Sequence, residues 1–163
     1  MTGHPADGGQ PFQPVERGYI NVVRARTLIS WLPLIIGAVV IDQAALDGSR
    51  WQGALSVGVP LAALLATLTA PPRIWRRLGY RLAPNLLQVV RGWLFHTDTV
   101  VPFVRVQHID VTRSPFDKLF GTASLIVHTA GTHNSTVTLP GLAPDRAAEI
   151  RDLIRGHIRS DLE

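Results

Sequence analysis

Thr27 to Leu46 reads TLISWLPLIIGAVVIDQAAL, and Trp51 to Ala70 reads WQGALSVGVPLAALLATLTA. Each run is roughly 20 residues, which at about 1.5 Å rise per residue crosses a hydrocarbon core of about 30 Å. Between Thr27 and Ala70 the only ionisable side chains are Asp42, Asp47 and Arg50. The connection Asp47-Gly48-Ser49-Arg50 is turn-forming and too short to hold a soluble domain, so the spans run antiparallel as neighbours. Residues 27–70 therefore read as a transmembrane hairpin, with spans at 27–46 and 51–70 and both ends emerging on one side. A cleaved signal peptide is the competing account of the first run. Against it stand the 26 residues ahead of the run, its length as an h-region, and the second span directly behind it.

Working outward, Arg17, Arg24 and Arg26 precede the first span and Arg73, Arg76, Arg77 and Arg81 follow the second, against Arg50 alone in the turn. Lys and Arg concentrate on the cytoplasmic side, so both termini are expected there. Trp31, Trp51 and Trp75 fall near the two interfaces, where an amphipathic indole is favoured. Ala54, Gly58, Ala62 and Ala66 recur at every fourth position and lay small side chains on one helix face. That face suits packing within the hairpin against Gly37 and Ala38, or contact with a partner membrane protein. Pro33 and Pro60 suggest kinks, which spans tolerate. Asp42 sits four residues before the end of its span, where it can reach the outer interface or pair with Arg50. A structural role is favoured over a proton relay, which needs more than one buried acid.

The rest of the composition narrows the classes. At 163 residues the chain has room for one ordinary domain beside the hairpin. The formal charge of +4 comes from arginines and the single Lys118, and the absence of cysteine excludes disulfides, thiolate ligands and a cysteine nucleophile. The segment through about Pro14 is rich in Gly, Pro and Gln, so residues 1–26 are expected to be a disordered cytoplasmic segment.

From Leu78 the pattern changes to short runs rich in Val, Ile, Leu, Phe and Thr. Strands are expected near Gly79 to Leu82, Leu86 to Arg91, Leu94 to Val101, Val104 to Thr112, Ala123 to Thr129 and Thr136 to Leu139. In the fourth run the apolar phase slips by one between Gln107 and His108, as a β-bulge or sharp bend would require. Gly131-Thr132-His133-Asn134 supplies turn chemistry for a hairpin between the last two strands. Pro144, Asp145 and Glu149 mark a helix start, and Ala147, Ile150, Ile154 and His157/Ile158 share one face opposite Arg151, Arg155 and Arg159. Such a stripe has to cover the strands. The fold class is an α-helical membrane hairpin plus an α+β domain over 78–160, a bent antiparallel sheet or barrel capped by one C-terminal helix.

Tyr80-Arg81-Leu82, then Leu86 through Leu94, Val101 through Ile109, Leu119 through Leu125 and His128-Thr129-Ala130-Gly131 form an ordered set. Together with the hairpin ahead of it, this set resembles the bacterial pleckstrin-homology-like (PH) membrane proteins of the YdbS type. The resemblance covers about Leu78 to Ile158. It implies a PH-like barrel with a capping helix, residence in a bacterial cell membrane and a partner with related domains, and it implies no catalytic residue.

Chemistry read from the residues alone is sparse. His96-x-Asp98 and His108-x-Asp110 each put two ligand types on one strand face, yet with no cysteine, no HExxH and no glutamate nearby no metal site is assigned. Ser114, Ser124 and Ser135 lack a nucleophile-elbow context, and neither a P-loop nor a dinucleotide-binding glycine pattern occurs. No enzyme activity, cofactor or nucleic-acid binding is expected. The leading expectation is a non-enzymatic adaptor that shows a β-surface or groove to another membrane protein, or to a second copy. The alternative is a module for anionic lipid headgroups at the inner leaflet, and a small transporter subunit ranks third. Candidate lipid or partner contacts are Arg73, Arg76, Arg77, Arg91, Arg105, Arg113 and Lys118, and the helix-packing face is Ala54, Gly58, Ala62 and Ala66.

Overall fold

The computed structural model describes residues 11–92, 97–130 and 136–160. Residues 20–73 form one compact unit, and 11–19 with 74–160 belong to the other. The turn expected at Gly131 to Asn134 and the first residues of the strand expected from Leu94 lie outside the described residues.

In the first unit, α1 (Gly18–Ala45) and α2 (Ala54–Arg76) are the spans. The second helix starts three residues later than expected and runs on through Pro71 and Pro72, so the prolines that close the apolar run do not close the helix. Both helices also continue through Pro33 and Pro60. Their most apolar windows have mean hydropathy 1.8 and 1.7 yet are only 11% and 17% buried, so these are not core helices of a water-soluble unit. Leu32, Ile36, Val57 and Leu61 are all more than half exposed, as side chains meant for lipid are.

The hairpin is tied at its turn end by Asp42. Its Oδ2 accepts from the Gly53 backbone N–H at 2.8 Å and from the Ser56 hydroxyl at 2.6 Å. The ion pair with Arg50 envisaged from sequence does not form; the Arg50 guanidinium lies over the Trp51 ring, 5.4 Å from its centroid. These bonds set the rotation of α2. The buried positions are Val22, Ala38 and Asp42 on α1 and Ala63, Thr67 and Pro71 on α2, and Thr67 satisfies its hydroxyl on the Ala63 carbonyl at 2.7 Å. Ala54, Gly58 and Ala62 are exposed and Ala66 is half-buried. A methyl group added at Gly37 or Gly58 would meet nothing within 4 Å. The small-residue stripe is thus not the intrahairpin contact.

The second unit holds two antiparallel sheets. Strands β1 (Gln13–Pro14), β2 (Gly79–Ala83), β3 (Leu86–Arg91) and β4 (Thr97–Pro102) form one, in that order. After a 3-10 turn at Phe103–Arg105, β5 (Val106–Thr112), β6 (Ala123–Thr129) and β7 (Thr136–Leu142) form the other, with the short α3 (Pro115–Leu119) between β5 and β6. The register shifts between Val106 and His108, where the apolar phase slips in the sequence. Helix α4 (Pro144–Ser160) lays Ala147, Ile150 and Ile154, all fully buried, on a core that includes Leu87, Val89, Leu125 and Leu139. Asp117 fixes α3: its carboxylate accepts from Ser114 N at 3.0 Å and from the Thr122 hydroxyl at 2.7 Å, while Ser114 caps the helix in return.

The domain does not begin at 78, and the segment before the first span is not a free tail throughout. Residues 1–10 lie outside the described residues. Beyond them, Gln13 and Pro14 pair with Tyr80 and Gly79, and Phe12 lies under the Arg81 guanidinium at 4.3 Å. Val15 is buried at 3% exposure, and Glu16 N donates to the Gly141 carbonyl at 2.7 Å. Trp75, expected as an interfacial anchor, packs on the domain core and donates its indole N–H to the Val15 carbonyl at 2.9 Å. Gly141, at φ +76°, lets Tyr19 lie directly on the backbone of β7. The chain entering α1 and the chain leaving α2 are both built into this unit.

Candidate interaction site

Strand β3 decides where the domain is open. Side chains alternate along a strand, so Leu87, Val89 and Arg91 share one face. Leu87 and Val89 are fully buried, and Arg91 continues their core-facing row to the end of the strand. Opposite them in register stand Val101, Thr99 and Thr97 on β4. An arginine and two threonines thus take the end of a row whose other members are apolar. The other faces of these strands carry Gln88, Asp98 and Val100, and the Gln88 amide donates to both Asp98 oxygens at 2.9 and 2.8 Å.

Among the described residues, β4 pairs with β3 only, so its outer edge has no neighbouring strand. That edge opens onto a cleft of about 310 Å³ whose far wall is Thr129, Ala130 and Val137 of the second sheet. Arg105 lies at the cleft end nearest Pro102, and its backbone carbonyl accepts from Ala130 N at 2.9 Å, which continues the β5–β6 pairing one step beyond Val106 and Thr129. Toward the other end a cavity of about 160 Å³ is bordered by Arg91, Thr97, Thr99, Thr136 and Val137. The two spaces share Thr97, Thr99 and Val137, so they form one seam between the edge of β4 and the second sheet. The Arg91 guanidinium donates to the Thr138 backbone carbonyl of β7, bridging the seam near this end. Burial pulls Arg91 below the ordinary arginine value, since the charged form loses solvation, and the nearby Tyr19 partly offsets this. Thr136 has its hydroxyl 3.3 Å from His128 Nδ1.

The other candidate cations do not gather. Arg105 lies on the same seam as Arg91 but at its opposite end. Arg113 donates to the Thr122 carbonyl at 3.3 Å beside α3, and Lys118 is exposed on α3. Arg73, Arg76 and Arg77 are exposed at the end of α2 and just after it. Arg146, which the sequence did not single out, bonds Tyr80, Glu149 and Gln13 and so ties α4 to β1 and β2; the Tyr80 and Glu149 bonds raise its proton affinity. On the outer face of the second sheet His108 and His128 place Nε2 at 2.9 and 3.5 Å from the two oxygens of Asp110. Among the described residues no three such side chains converge as metal ligands, and His96 lies outside them.

A family model for the bacterial PH domain matches residues 23–158. The UPF0699 transmembrane protein YdbS of Bacillus subtilis (strain 168) is 28% identical over 125 residues, which is 74% of this chain and 75% of the relative. No solved structure gives a significant match. The matched stretch takes in nearly all of the membrane-capable hairpin, strands β2 to β7 and most of the capping helix, and the chain is therefore a membrane protein of the bacterial PH domain family, of the YdbS type.

Proposed function

We propose that this protein is a non-enzymatic interaction module of a membrane complex, whose PH-like domain receives an extended segment of another membrane protein along the free edge of β4. The hairpin crosses the bacterial plasma membrane twice and leaves both termini and the domain in the cytoplasm, in keeping with Arg17, Arg24, Arg26, Arg73, Arg76 and Arg77 on one side and Arg50 on the other. One observation carries this reading: among the described residues β4 has no strand on its outer side, and that edge borders a cleft of about 310 Å³. Strand addition supplies affinity through main-chain hydrogen bonds and specificity through such pockets. Pro102 lacks an N–H and ends the ladder available to a guest strand.

Recognition of anionic headgroups is the weaker account. A phosphate site wants several cations aimed at one point, whereas Arg91, Arg105, Arg113 and Lys118 stand at separate places on the domain. Arg73, Arg76 and Arg77 suit a general attraction of roughly 1 kcal/mol each to an anionic leaflet, without selecting a lipid.

The test is purification of the tagged full chain from native membranes in mild detergent, with the accompanying proteins and lipids identified. A membrane protein at fixed stoichiometry, lost when Thr99→Trp fills the cleft, is the expected result. Enrichment of one anionic lipid without a protein, or recovery of this chain only with itself, would overturn the proposal.

A further inference from the structure

Arg91 is an unusual residue to find at the end of a core-facing row. Its row partners Leu87 and Val89 are fully buried, and the guanidinium is itself half-buried. Among the described residues no carboxylate pairs with it; its hydrogen bond goes to the Thr138 carbonyl. A carbonyl takes one of a guanidinium's five N–H donors and none of its charge. Thr97 and Thr99 lie on the same face of the sheet by alternation and bring two further hydroxyl donors to the cavity of about 160 Å³. Asp98, the acid next in sequence, borders the larger cleft but not the cavity beside Arg91, and both of its oxygens are taken by the Gln88 amide on the other face of the strand. The cavity therefore offers positive charge and hydroxyl donors at one end of a seam shaped for extended chain.

We propose that this cavity is a carboxylate subsite: the partner segment presents an Asp or Glu side chain to Arg91, with Thr97 and Thr99 completing its hydrogen bonds. The inference rests on the interaction reading above and names the chemistry of the partner. Arginine's planar fork suits two-point binding of a carboxylate, and partial burial strengthens that bond relative to a surface pair. The subsite also sets register. Thr97 to Pro102 spans about 17 Å at roughly 3.3 Å per residue, so the acid falls about five residues from the partner residue that meets Arg105.

The experiment uses the full chain in its native membranes with a photo-activated cross-linking amino acid at Val100, on the outer lip of the seam. Cross-linked partner peptides are mapped by mass spectrometry in the otherwise unchanged protein and in Arg91→Gln and Arg91→Lys backgrounds. The proposal expects a segment containing Asp or Glu, a loss of cross-linking of at least tenfold in Arg91→Gln, and only partial recovery in Arg91→Lys, since lysine keeps the charge but loses the planar fork. Changing the partner's acid to its amide should cause the same loss without touching this chain, which separates recognition from any effect of Arg91→Gln on folding. A segment that lacks an acid, or that cross-links equally well in both Arg91→Gln and the partner's amide variant, overturns the carboxylate subsite and leaves the interaction reading standing. Cross-linking to phospholipid with no protein captured overturns both.

Discussion

Replacing Gly141 by alanine tests whether the residues ahead of the first span are part of the domain. The added methyl would lie 2.7 Å from Tyr19 Cγ, 2.8 Å from its Cβ and 3.1 Å from its Cδ2, all closer than carbon atoms normally approach. The backbone at φ +76° adds a second penalty. For an L-residue the left-handed conformation costs about 1–2 kcal/mol, and overpacking a close-packed contact costs about 1–3 kcal/mol. The expected loss is about 2–5 kcal/mol, a large share of a domain stability of about 5–15 kcal/mol. The partner substitution Tyr19→Ala removes the ring contacts but keeps the Cβ, so it relieves part of the clash and none of the dihedral cost. The double variant should therefore be more stable than the sum of the two single losses by about 1 kcal/mol. Pulse proteolysis of the full chain in detergent across a urea series reads the domain, because the β-unit exposes cleavable backbone when it opens. If Gly141→Ala loses under about 0.5 kcal/mol, or the two substitutions are additive, then Tyr19 does not rest on β7 and the segment through residue 19 is not built into the domain.

Two further outcomes concern the hairpin. Asp42→Ala removes the acceptor for Gly53 N–H and the Ser56 hydroxyl, and at about 1.5–3 kcal/mol for a hydrogen bond to a charged group it should weaken the hairpin by about 3 kcal/mol, with Asp42→Asn losing less than half as much. Equal losses for the two, measured by denaturation in mixed micelles, would show that charge and not hydrogen-bond acceptance holds the turn. Ala62→Leu should change stability by no more than about 0.5 kcal/mol, because its side chain is exposed, whereas Ala63→Leu, at a buried position, should cost about 1–3 kcal/mol. The reverse order in the same assay would rotate α2 relative to α1.

Much of this architecture is legible in the sequence, because its signals are periodic and local. The strands β3 and β6, the phase slip at Gln107 and the Ala147/Ile150/Ile154 stripe appear where the pattern puts them, and the two apolar runs are helical, although α1 begins at Gly18 and α2 runs on to Arg76. What escaped was non-local. Gln13 and Pro14 have neither alternation nor β-propensity, and they are a strand only because β2 offers an edge to them. Trp75 follows an apolar run, which made it resemble an interfacial indole, but its N–H finds Val15, 60 positions earlier. The stripe at Ala54, Gly58, Ala62 and Ala66 is a true helix face. Which face meets α1 was settled by Asp42, whose bonds to Gly53 and Ser56 bring Ala63 and Thr67 inward.

The candidate site divides in the same way. Leu87-x-Val89-x-Arg91 could have been recognised in the sequence as a core row ending in a charge, since period-two alternation requires it. Grouping Arg91 with Arg105, Arg113 and Lys118 hid that distinction, because all four are cations on one domain and sequence separation does not say which of them share a cleft. The meeting of the β4 edge with β6 and β7 depends on how two sheets close around one core. No local pattern encodes that closure, yet it separates the four: Arg91 and Arg105 at the two ends of a seam, Arg113 on the Thr122 carbonyl, Lys118 on an exposed turn of helix. A surface evolved for an anionic bilayer gains from every exposed cation about equally, whereas a seam for one extended segment depends on the cation that is half-buried and held in register. On the proposed reading Arg91 is that cation, so neutralising it should weaken partner binding at least tenfold while neutralising Lys118 should leave it intact.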